Sequence, residues 1–155
     1  MEGLKYMLSM NEMFDKAVEV AIDAHKGVVD KGGMPYIMHP LRVSNKCKTF
    51  EGKIVGLLHD VVEDSDYTFE DLEKMGFSKE IINSLKLLTH NKNEKYFDYI
   101  QKIKDNKISV EVKLSDLEDN MNLNRLIEVT EKDLKRVEKY KKAYAFLKQF
   151  DSDFI

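Results

Sequence analysis

Cysteine, proline and long apolar runs are scarce in this sequence of 155 residues. Its one cysteine, Cys47, excludes an internal disulfide and fits a reducing cytoplasm. No apolar stretch approaches the roughly 20 residues that a membrane-spanning helix needs. The N-terminal segment lacks a basic region followed by an apolar one, so no signal peptide is predicted. These absences predict a cytoplasmic protein with no membrane partner.

The charge balance is mildly acidic, with a formal net charge of -3. It gives no indication of a nucleic-acid partner, and the basic residues near the C-terminus alternate with acidic ones, as on a solvated helix face. A composition of 43% hydrophobic and 34% charged residues indicates a folded globular chain. With no internal repeat or Pro-rich linker, we expect one domain over residues 1–155, with a core at about 11–150.

Apolar residues recur mainly with helical spacing, and strand alternation is rare. Asn11 is a candidate cap for the first helix. Thr68 and Ser78 are typical caps of two later helices, with Asp71 in the capping-box position after Thr68. Further helices are predicted from about residue 35 and over about 52–63, 96–104, 107–127 and 130–150, the last burying Leu134, Val137, Tyr140, Tyr144 and Leu147. The pattern predicts an all-α bundle of about seven to nine helices.

Polar residues interrupt an apolar run in the stretch LLHDVVED, residues 57–64. If residues 52–63 form one helix, Ile54, Val55, Leu58, Val61 and Val62 share its apolar face. The opposite face then carries His59, Asp60, Glu63 and Asp64. Gly56 lies one turn earlier on that polar face, where it would leave room for a bulky ligand.

The carboxylates of residues 60, 63 and 64 repel one another unless a cation neutralises them. The ordinary alternative is a solvated polar face, but such a face usually includes Lys or Arg, and residues 54–66 contain neither. A divalent metal would neutralise the carboxylates directly. Imidazole nitrogen together with carboxylate oxygen suits Mn²⁺, Fe²⁺ or Zn²⁺ better than Ca²⁺.

Further metal ligands must come from elsewhere in the chain. His39 in PYIMHP, Asp116 in VKLSDLEDN and His25 at the end of the first helix are candidates. Taken singly, a histidine is more often bonded within a core, and an aspartate is usually solvated. His90 is interpreted as a histidine at a helix C-terminus, where it interacts with the helix dipole, and is left outside the site.

His39, the adjacent pair His59–Asp60 and the distant Asp116 match the H…HD…D order of HD-domain metal phosphohydrolases. The words AIDAHKG, GMPYIMHPLRV, LLHDVVEDSDYTFEDL, LLTH and VKLSDLEDNMNL stand in the order seen in the hydrolase domain of the RelA/SpoT alarmone enzymes. The sequence also resembles the small stand-alone alarmone hydrolases. The resemblance covers about residues 15–130 and implies the HD-domain helical bundle.

This resemblance implies a reaction, a cofactor and a set of site residues. The reaction removes the 3′-pyrophosphate of ppGpp, the alarmone of the stringent response, and yields GDP and pyrophosphate. The cofactor is a divalent metal, usually manganese. The implied residues are His39, His59, Asp60 and Asp116 for the metal, Glu63 and Asp64 for catalysis, and Lys31 and Asn120 for the nucleotide.

Three positions depart from the alarmone-hydrolase pattern. Asp30 stands where the long enzymes usually have an arginine that stacks on guanine. In KLSDLEDN, Leu117 and Asp119 replace the arginine and the histidine of the usual K-L-A-D-R-L-H-N. These departures predict altered recognition of the base and phosphates. They leave open a phosphohydrolase for another nucleotide or phosphorylated metabolite, and a non-catalytic nucleotide-binding module.

The oligomeric state is also open. The segment Met1–Met10 carries Leu4, Tyr6, Met7 and Leu8, an apolar group that can pack on its own domain or on a partner chain. A homodimer is therefore one of the two expectations for this segment.

Overall fold

The computed structural model describes residues 7–151, and in this range the chain is all-α, as predicted. Nine α-helices and one 3-10 helix follow one another along the described residues. The helices are α1 Met10–Ala24, α2 Met38–Lys46, α3 Phe50–Leu58, α4 Val61–Asp64, α5 Phe69–Lys74, α6 Lys79–Leu88, α7 Tyr96–Ile103, α8 Lys107–Met121 and α9 Glu131–Lys148, with the 3-10 helix Leu123–Arg125 between α8 and α9. No helix of the described residues is long and apolar enough to cross a membrane.

Side-chain caps begin most of these helices. Thr68 and Asp71 form the capping box predicted for α5, and Ser78 caps α6 by accepting from the backbone N–H of Ile81. The start of α1 differs from the prediction, because Ser9 rather than Asn11 is its cap. Ser9 Oγ accepts from the backbone N–H of Glu12 at 3.2 Å, and the Glu12 carboxylate accepts from the backbone N–H of Ser9 at 3.0 Å.

Helix α3 lies at the centre of the bundle, where it packs against α1, α2, α6 and α8. Its residues from Ile54 to Leu58 are all buried, while Phe50 in its first turn is 39% exposed. Helix α9 covers α8 from outside, and its buried residues include Ala143 and Leu147. The predicted buried face of α9 was wrong at Leu134, which is 53% exposed.

The predicted helix over residues 52–63 is two helices in the structure. Helix α3 ends at Leu58, and a turn at His59 and Asp60 separates it from α4. Asp60 has φ -104° and ψ -2°, in the bridge region that turns often use. The turn changes the chain direction between the histidine–aspartate pair and the carboxylates of Glu63 and Asp64. The shared polar face predicted for one continuous helix is therefore not the arrangement observed.

The role predicted for Gly56 was also wrong. This glycine is buried against α2, and a Cβ at its position would lie 3.1 Å from both Cα and N of Ser44. Gly56 thus allows a close approach of α2 and α3 and opens no space for a ligand. The approach matters for the site, because His39 lies at the start of α2 and His59 follows α3 directly.

Only part of the N-terminal apolar segment lies among the described residues. Leu8 packs against the core, and its backbone N–H donates to the carbonyl of Gly76 at 3.3 Å. Met7 is 58% exposed. Leu4 and Tyr6 lie outside the described residues. The fold therefore accounts for Leu8 within its own domain.

Candidate metal centre

Four side chains predicted from the sequence converge between α2, α3 and α8. His39 comes from the first turn of α2, His59 and Asp60 from the turn after α3, and Asp116 from α8. His39 Nε2 lies 3.0 Å from Asp116 Oδ1 and 3.6 Å from Asp60 Oδ2. His59 Nε2 lies 3.3 Å and 3.1 Å from the same two oxygens. Atoms that each lie about 2.1 Å from one ion stand about 3.0–3.5 Å apart at ordinary bond angles, so the spacing suits a shared cation.

The hydrogen bonds of the two imidazole rings favour the same conclusion. His59 Nδ1 lies 2.6 Å from the carbonyl of Gly56, which can only accept, so Nδ1 carries the proton. His39 Nδ1 lies 2.6 Å from the carboxylate of Asp119, which accepts in the same way. In the neutral rings both Nε2 lone pairs then face carboxylate oxygens. A bound cation, or a proton on each ring, is needed to offset that repulsion.

Burial of the cluster increases the need for a cation or for protons on the two rings. His39, His59 and Asp116 are each at most 5% exposed, and the buried His59 Nε2 has no hydrogen-bond partner among the described residues. Burial alone would lower the pKa of His59, but Asp60 and Asp116 outweigh it and raise the pKa well above its ordinary value. Without a metal the site therefore attracts protons. His39, His59 and Asp60 are close enough together to hold a metal ion, and the nitrogen and oxygen donors fit a divalent transition metal.

Asp116 has two further neighbours on its own helix. Lys113 donates from Nζ to Asp116 Oδ2 at 2.9 Å, and Asn120 donates from Nδ2 to Oδ1 at 3.0 Å. Burial would lower the pKa of Lys113, but the Asp116 carboxylate beside it outweighs burial and keeps the pKa well above the ordinary value. Lys113 therefore stays cationic and orients the Asp116 carboxylate. Sequence reasoning missed Lys113, although its i, i+3 spacing to Asp116 was a signal.

Tyr36 is a second residue that sequence reasoning missed. Its hydroxyl donates to Asp60 Oδ2 at 2.5 Å, and its ring lies 4.8 Å from that of His25 and 5.6 Å from that of His39. Burial and the Asp60 carboxylate raise the pKa of Tyr36 far above its ordinary value, so it remains a donor. His25, expected near the pocket, is buried beside Tyr36 and lines the cavity described below.

The predicted catalytic pair lies beside this cluster on α4. Glu63 Oε1 accepts from the backbone N–H of His90 at 2.6 Å, and partial burial of its carboxyl group raises the pKa of Glu63. Burial, together with the charges of Asp60 and Glu63, raises the pKa of Asp64 to about 6. The prediction that His90 lies outside the site is wrong in one respect, because its backbone N–H holds Glu63 in place. Its ring stacks on Tyr99, with centroids 4.6 Å apart.

An open cavity of about 580 Å³ adjoins the cluster. His39 and Asp64 lie at its wall, together with the predicted substrate residues Lys31 and Asn120. The other lining residues combine cationic and apolar side chains. They include Arg125 and Arg136, the ring of Tyr140, and the aliphatic Val28, Val29, Leu123 and Leu126.

The departures Asp119 and Leu117 have roles other than the predicted one. Asp119 is 2% exposed and bonds to His39, Arg42 and Arg125, so it supports a ligand of the candidate centre. Leu117 is fully buried in the core. Neither residue lines the cavity. The predicted change in nucleotide recognition therefore cannot act through a direct contact of either residue with the cavity, and it stays a prediction.

Asp30 organises the loop before α2. Its Oδ1 accepts from the backbone N–H groups of Gly32 at 2.9 Å and Met34 at 3.0 Å, while Oδ2 lies 3.4 Å from Nη1 of Arg125. Asp30 does line the cavity, but its charge is balanced by Arg125. An arginine at position 30 would lose these contacts, so Asp30→Arg would disturb the loop as well as change the charge at the cavity wall.

The all-α frame and the H…HD…D cluster together define an HD-domain type of candidate metal centre. No protein-family model matches the chain. The chain is 38% identical over 86 residues to the guanosine-3′,5′-bis(diphosphate) 3′-pyrophosphohydrolase of Borreliella burgdorferi, a match that covers 50% of this chain and 13% of that protein. It is 39% identical over 70 residues to the bifunctional (p)ppGpp synthase/hydrolase SpoT of Escherichia coli, covering 43% of this chain and 10% of SpoT.

The chain thus spans about a tenth of the length of the curated relatives it matches. A solved structure of a metazoan ortholog of SpoT that hydrolyzes ppGpp superposes with a TM-score of 0.71. The match covers 92% of this chain and 89% of the solved chain at 22% sequence identity, which establishes a common fold. These comparisons confirm the resemblance to SpoT-type hydrolases and the all-α HD-domain bundle.

Proposed function

We propose that this protein is a metal-dependent HD-domain phosphohydrolase that removes the 3′-pyrophosphate of ppGpp to give GDP and pyrophosphate. The observation that carries the proposal is the convergence of His39, His59, Asp60 and Asp116 on one point, with His39 also at the wall of the adjoining open cavity. The names of the relatives supply the substrate. We place the activity in the cytoplasm and in one domain over residues 1–155.

His39, His59, Asp60 and Asp116 would hold the cation in this proposal. Their nitrogen and oxygen donors suit Mn²⁺, which we take as the cofactor, although other divalent transition metals accept the same set. When bound, such a cation polarises a phosphoryl oxygen and lowers the pKa of water. Lys113, Tyr36 and Asp119 hold the donor side chains in place.

Glu63 and Asp64 are assigned the proton transfer. Hydrolysis needs a base that takes a proton from the attacking water, and a carboxylate with a raised pKa is suited to this. Asp64, with a pKa of about 6, lies at the cavity wall. Glu63 is oriented by the backbone N–H of His90. We assign Glu63 as the base and Asp64 as the group that positions the water.

The cavity residues are assigned to the nucleotide. Lys31 supplies positive charge for phosphates, which transition states of phosphoryl transfer require. Arg125 and Arg136, which pair with Asp30 and Asp133, supply further N–H donors. The ring of Tyr140 and the aliphatic wall offer an apolar surface to a base. Asn120, which also bonds to Asp116, is assigned to the nucleoside.

The test is release of pyrophosphate and orthophosphate by the purified protein with Mn²⁺. The substrates are ppGpp, GTP, ATP and other nucleotides, and His59→Ala serves as the blank. We expect pyrophosphate from ppGpp and none from the blank. Inactivity on the whole panel by a protein that binds Mn²⁺ would contradict the proposal and favour a nucleotide-binding module.

A different phosphorylated substrate is the second candidate, and one observation favours it. The position at which the long alarmone hydrolases place an arginine against guanine holds Asp30, whose carboxylate is committed to the loop and to Arg125. Stacking from this position is therefore absent. Turnover of another nucleotide without turnover of ppGpp would retain the chemistry and replace the substrate.

A further inference from the structure

We propose that Asp119 is a positioning residue that orients His39 as a metal ligand, with its charge maintained by Arg42 and Arg125. The inference rests on the proposed metal centre and concerns residues for which the sequence suggested another role. Asp119 lies on α8, and His39 lies at the start of α2, 80 positions earlier in the chain.

The contact between Asp119 and His39 is short and buried. Asp119 Oδ2 lies 2.6 Å from His39 Nδ1, and the two side chains are 3% and 5% exposed. The carboxylate can only accept here, so His39 Nδ1 is the donor and its Nε2 lone pair points to Asp60 and Asp116. A carboxylate behind a ligating histidine fixes its tautomer and ring orientation and raises its basicity.

Two arginines offset the cost of burying the Asp119 carboxylate. Arg42 donates from Nε to Asp119 Oδ1 at 2.7 Å and from Nη2 to Oδ2 at 3.1 Å, a paired geometry that is strong for arginine and carboxylate. Arg125 adds Nη2 at 3.0 Å from the Asp119 carbonyl and 3.5 Å from Oδ2. Arg42 stands one turn after His39 on α2, so one helix face presents both partners to Asp119.

His59, the second histidine of the cluster, has no carboxylate behind its ring among the described residues. His59 Nδ1 donates to the neutral carbonyl of Gly56. Of the two rings, only His39 therefore has an anionic acceptor behind it, and a carboxylate strengthens the ligand more than a carbonyl does. A purely structural ion pair between Asp119 and Arg42 would not need the third contact, to the imidazole. The contact with the imidazole thus indicates that Asp119 and its arginine partners serve the metal ligand His39.

Metal affinity of the 155-residue chain tests the proposal without any substrate. Mn²⁺ binding is measured by calorimetry and Co²⁺ binding by visible absorption, for wild type, Asp119→Asn and the matched control Glu118→Gln. Glu118 is the neighbouring acidic residue on α8 and is exposed. We expect Asp119→Asn to weaken Mn²⁺ binding about 10–100-fold and to alter the Co²⁺ spectrum, with Glu118→Gln unchanged.

A second variant separates positioning from folding. Arg42→Gln keeps Asp119 in place but removes its paired donor, and we expect a smaller loss of affinity in the same direction. Circular dichroism verifies that each variant is folded, and Arg42→Gln decides the question should Asp119→Asn fail to fold. Unchanged affinity and spectrum in the folded variants would overturn the positioning role alone. A wild-type protein that binds neither Mn²⁺ nor Co²⁺ would overturn the proposed function itself.

Discussion

Among single residues, Glu63 differs from the clustered metal-ligand candidates in its hydrogen-bond partner. Its carboxylate accepts from the backbone N–H of His90, while the carboxylates of Asp60 and Asp116 lie against the imidazoles of His39 and His59. A backbone partner fixes the position of Glu63 without neutralising its charge with a cation. That arrangement suits a group that must take a proton during the reaction.

Glu63→Gln tests this assignment. The amide oxygen can still accept from His90, so the fold and the Mn²⁺ affinity should be retained, but the amide cannot take a proton. We expect kcat to fall about 10²–10⁴-fold. Steady-state kinetics on the substrate that the panel identifies, with calorimetry of Mn²⁺ binding, would check it. The control is Glu70→Gln on α5, and a wild-type rate for Glu63→Gln would remove Glu63 as the base.

The raised pKa of Asp64 predicts that the stability of the metal-free protein depends on pH. Its pKa is about 6 when folded, above the ordinary 3.8. Because ionisation is harder in the folded state, the stability contributed by protonated Asp64 is present below about pH 4. It is lost as the pH rises through about 6. Wild type should therefore lose stability relative to Asp64→Asn between pH 4 and pH 7.

Urea unfolding with EDTA, at several pH values in that range, would measure the difference. Asp66→Asn removes an exposed carboxylate from the same segment and serves as the control. A difference between wild type and Asp64→Asn that does not change with pH, or that Asp66→Asn reproduces, would contradict the assignment.

Among the helices, α2 and α3 set the distance between the two histidines. Gly56 lets their backbones approach, with Ser44 on α2 as its neighbour. The Ser44 hydroxyl donates to the carbonyl of Lys53 at 2.8 Å, and Lys53 Nζ donates back to the carbonyl of Cys47 at 2.6 Å. The pair of helices is thus joined by both packing and hydrogen bonds.

Gly56→Ala tests the importance of that approach. Alanine is the better helix former by about 0.5–1 kcal/mol, so propensity alone predicts stabilisation. The added Cβ would lie 3.1 Å from backbone atoms of Ser44 and must push the helices apart. We expect a net loss of about 1–3 kcal/mol and weaker Mn²⁺ binding. Chemical unfolding and calorimetry would check both, against Asn83→Ala on the exposed side of α6, and a stabilised variant with full affinity would refute the packing role.

For the whole molecule, metal binding should be linked to stability. The cluster joins α2, the turn after α3, and α8, so a cation there links parts of the fold that are distant in sequence. A cation at about 100 times its Kd adds about 2.7 kcal/mol to the free energy of unfolding. For a domain of this size we expect Mn²⁺ to raise the Tm by about 5–10 °C.

Thermal unfolding with Mn²⁺, Co²⁺, Ca²⁺ or EDTA would measure this linkage. The nitrogen donors predict larger shifts with Mn²⁺ and Co²⁺ than with Ca²⁺. His59→Ala should lose the shift while retaining the helical circular dichroism of the wild type. Equal shifts for wild type and His59→Ala would place the cation elsewhere.

The helical class, the caps at Thr68 and Ser78 and the members of the H…HD…D cluster could be predicted from sequence alone. Helical periodicity and capping depend on residues three or four positions apart, which a sequence displays directly. The break at His59 and Asp60 could not be predicted, because the apolar pattern continues beyond it at Val61 and Val62.

The supporting residues of the site were decided only by the tertiary structure. The sequence predicts that Asp119 affects nucleotide recognition, but the packing of α2 on α8 places it behind His39 and against Arg42. Tyr36 and the backbone of His90 likewise gained their roles from partners 24 and 27 positions away. The sequence by itself determined which groups can bind a metal, since that is a property of each side chain. Their orientation depends on neighbours that only the folded chain brings within hydrogen-bond distance.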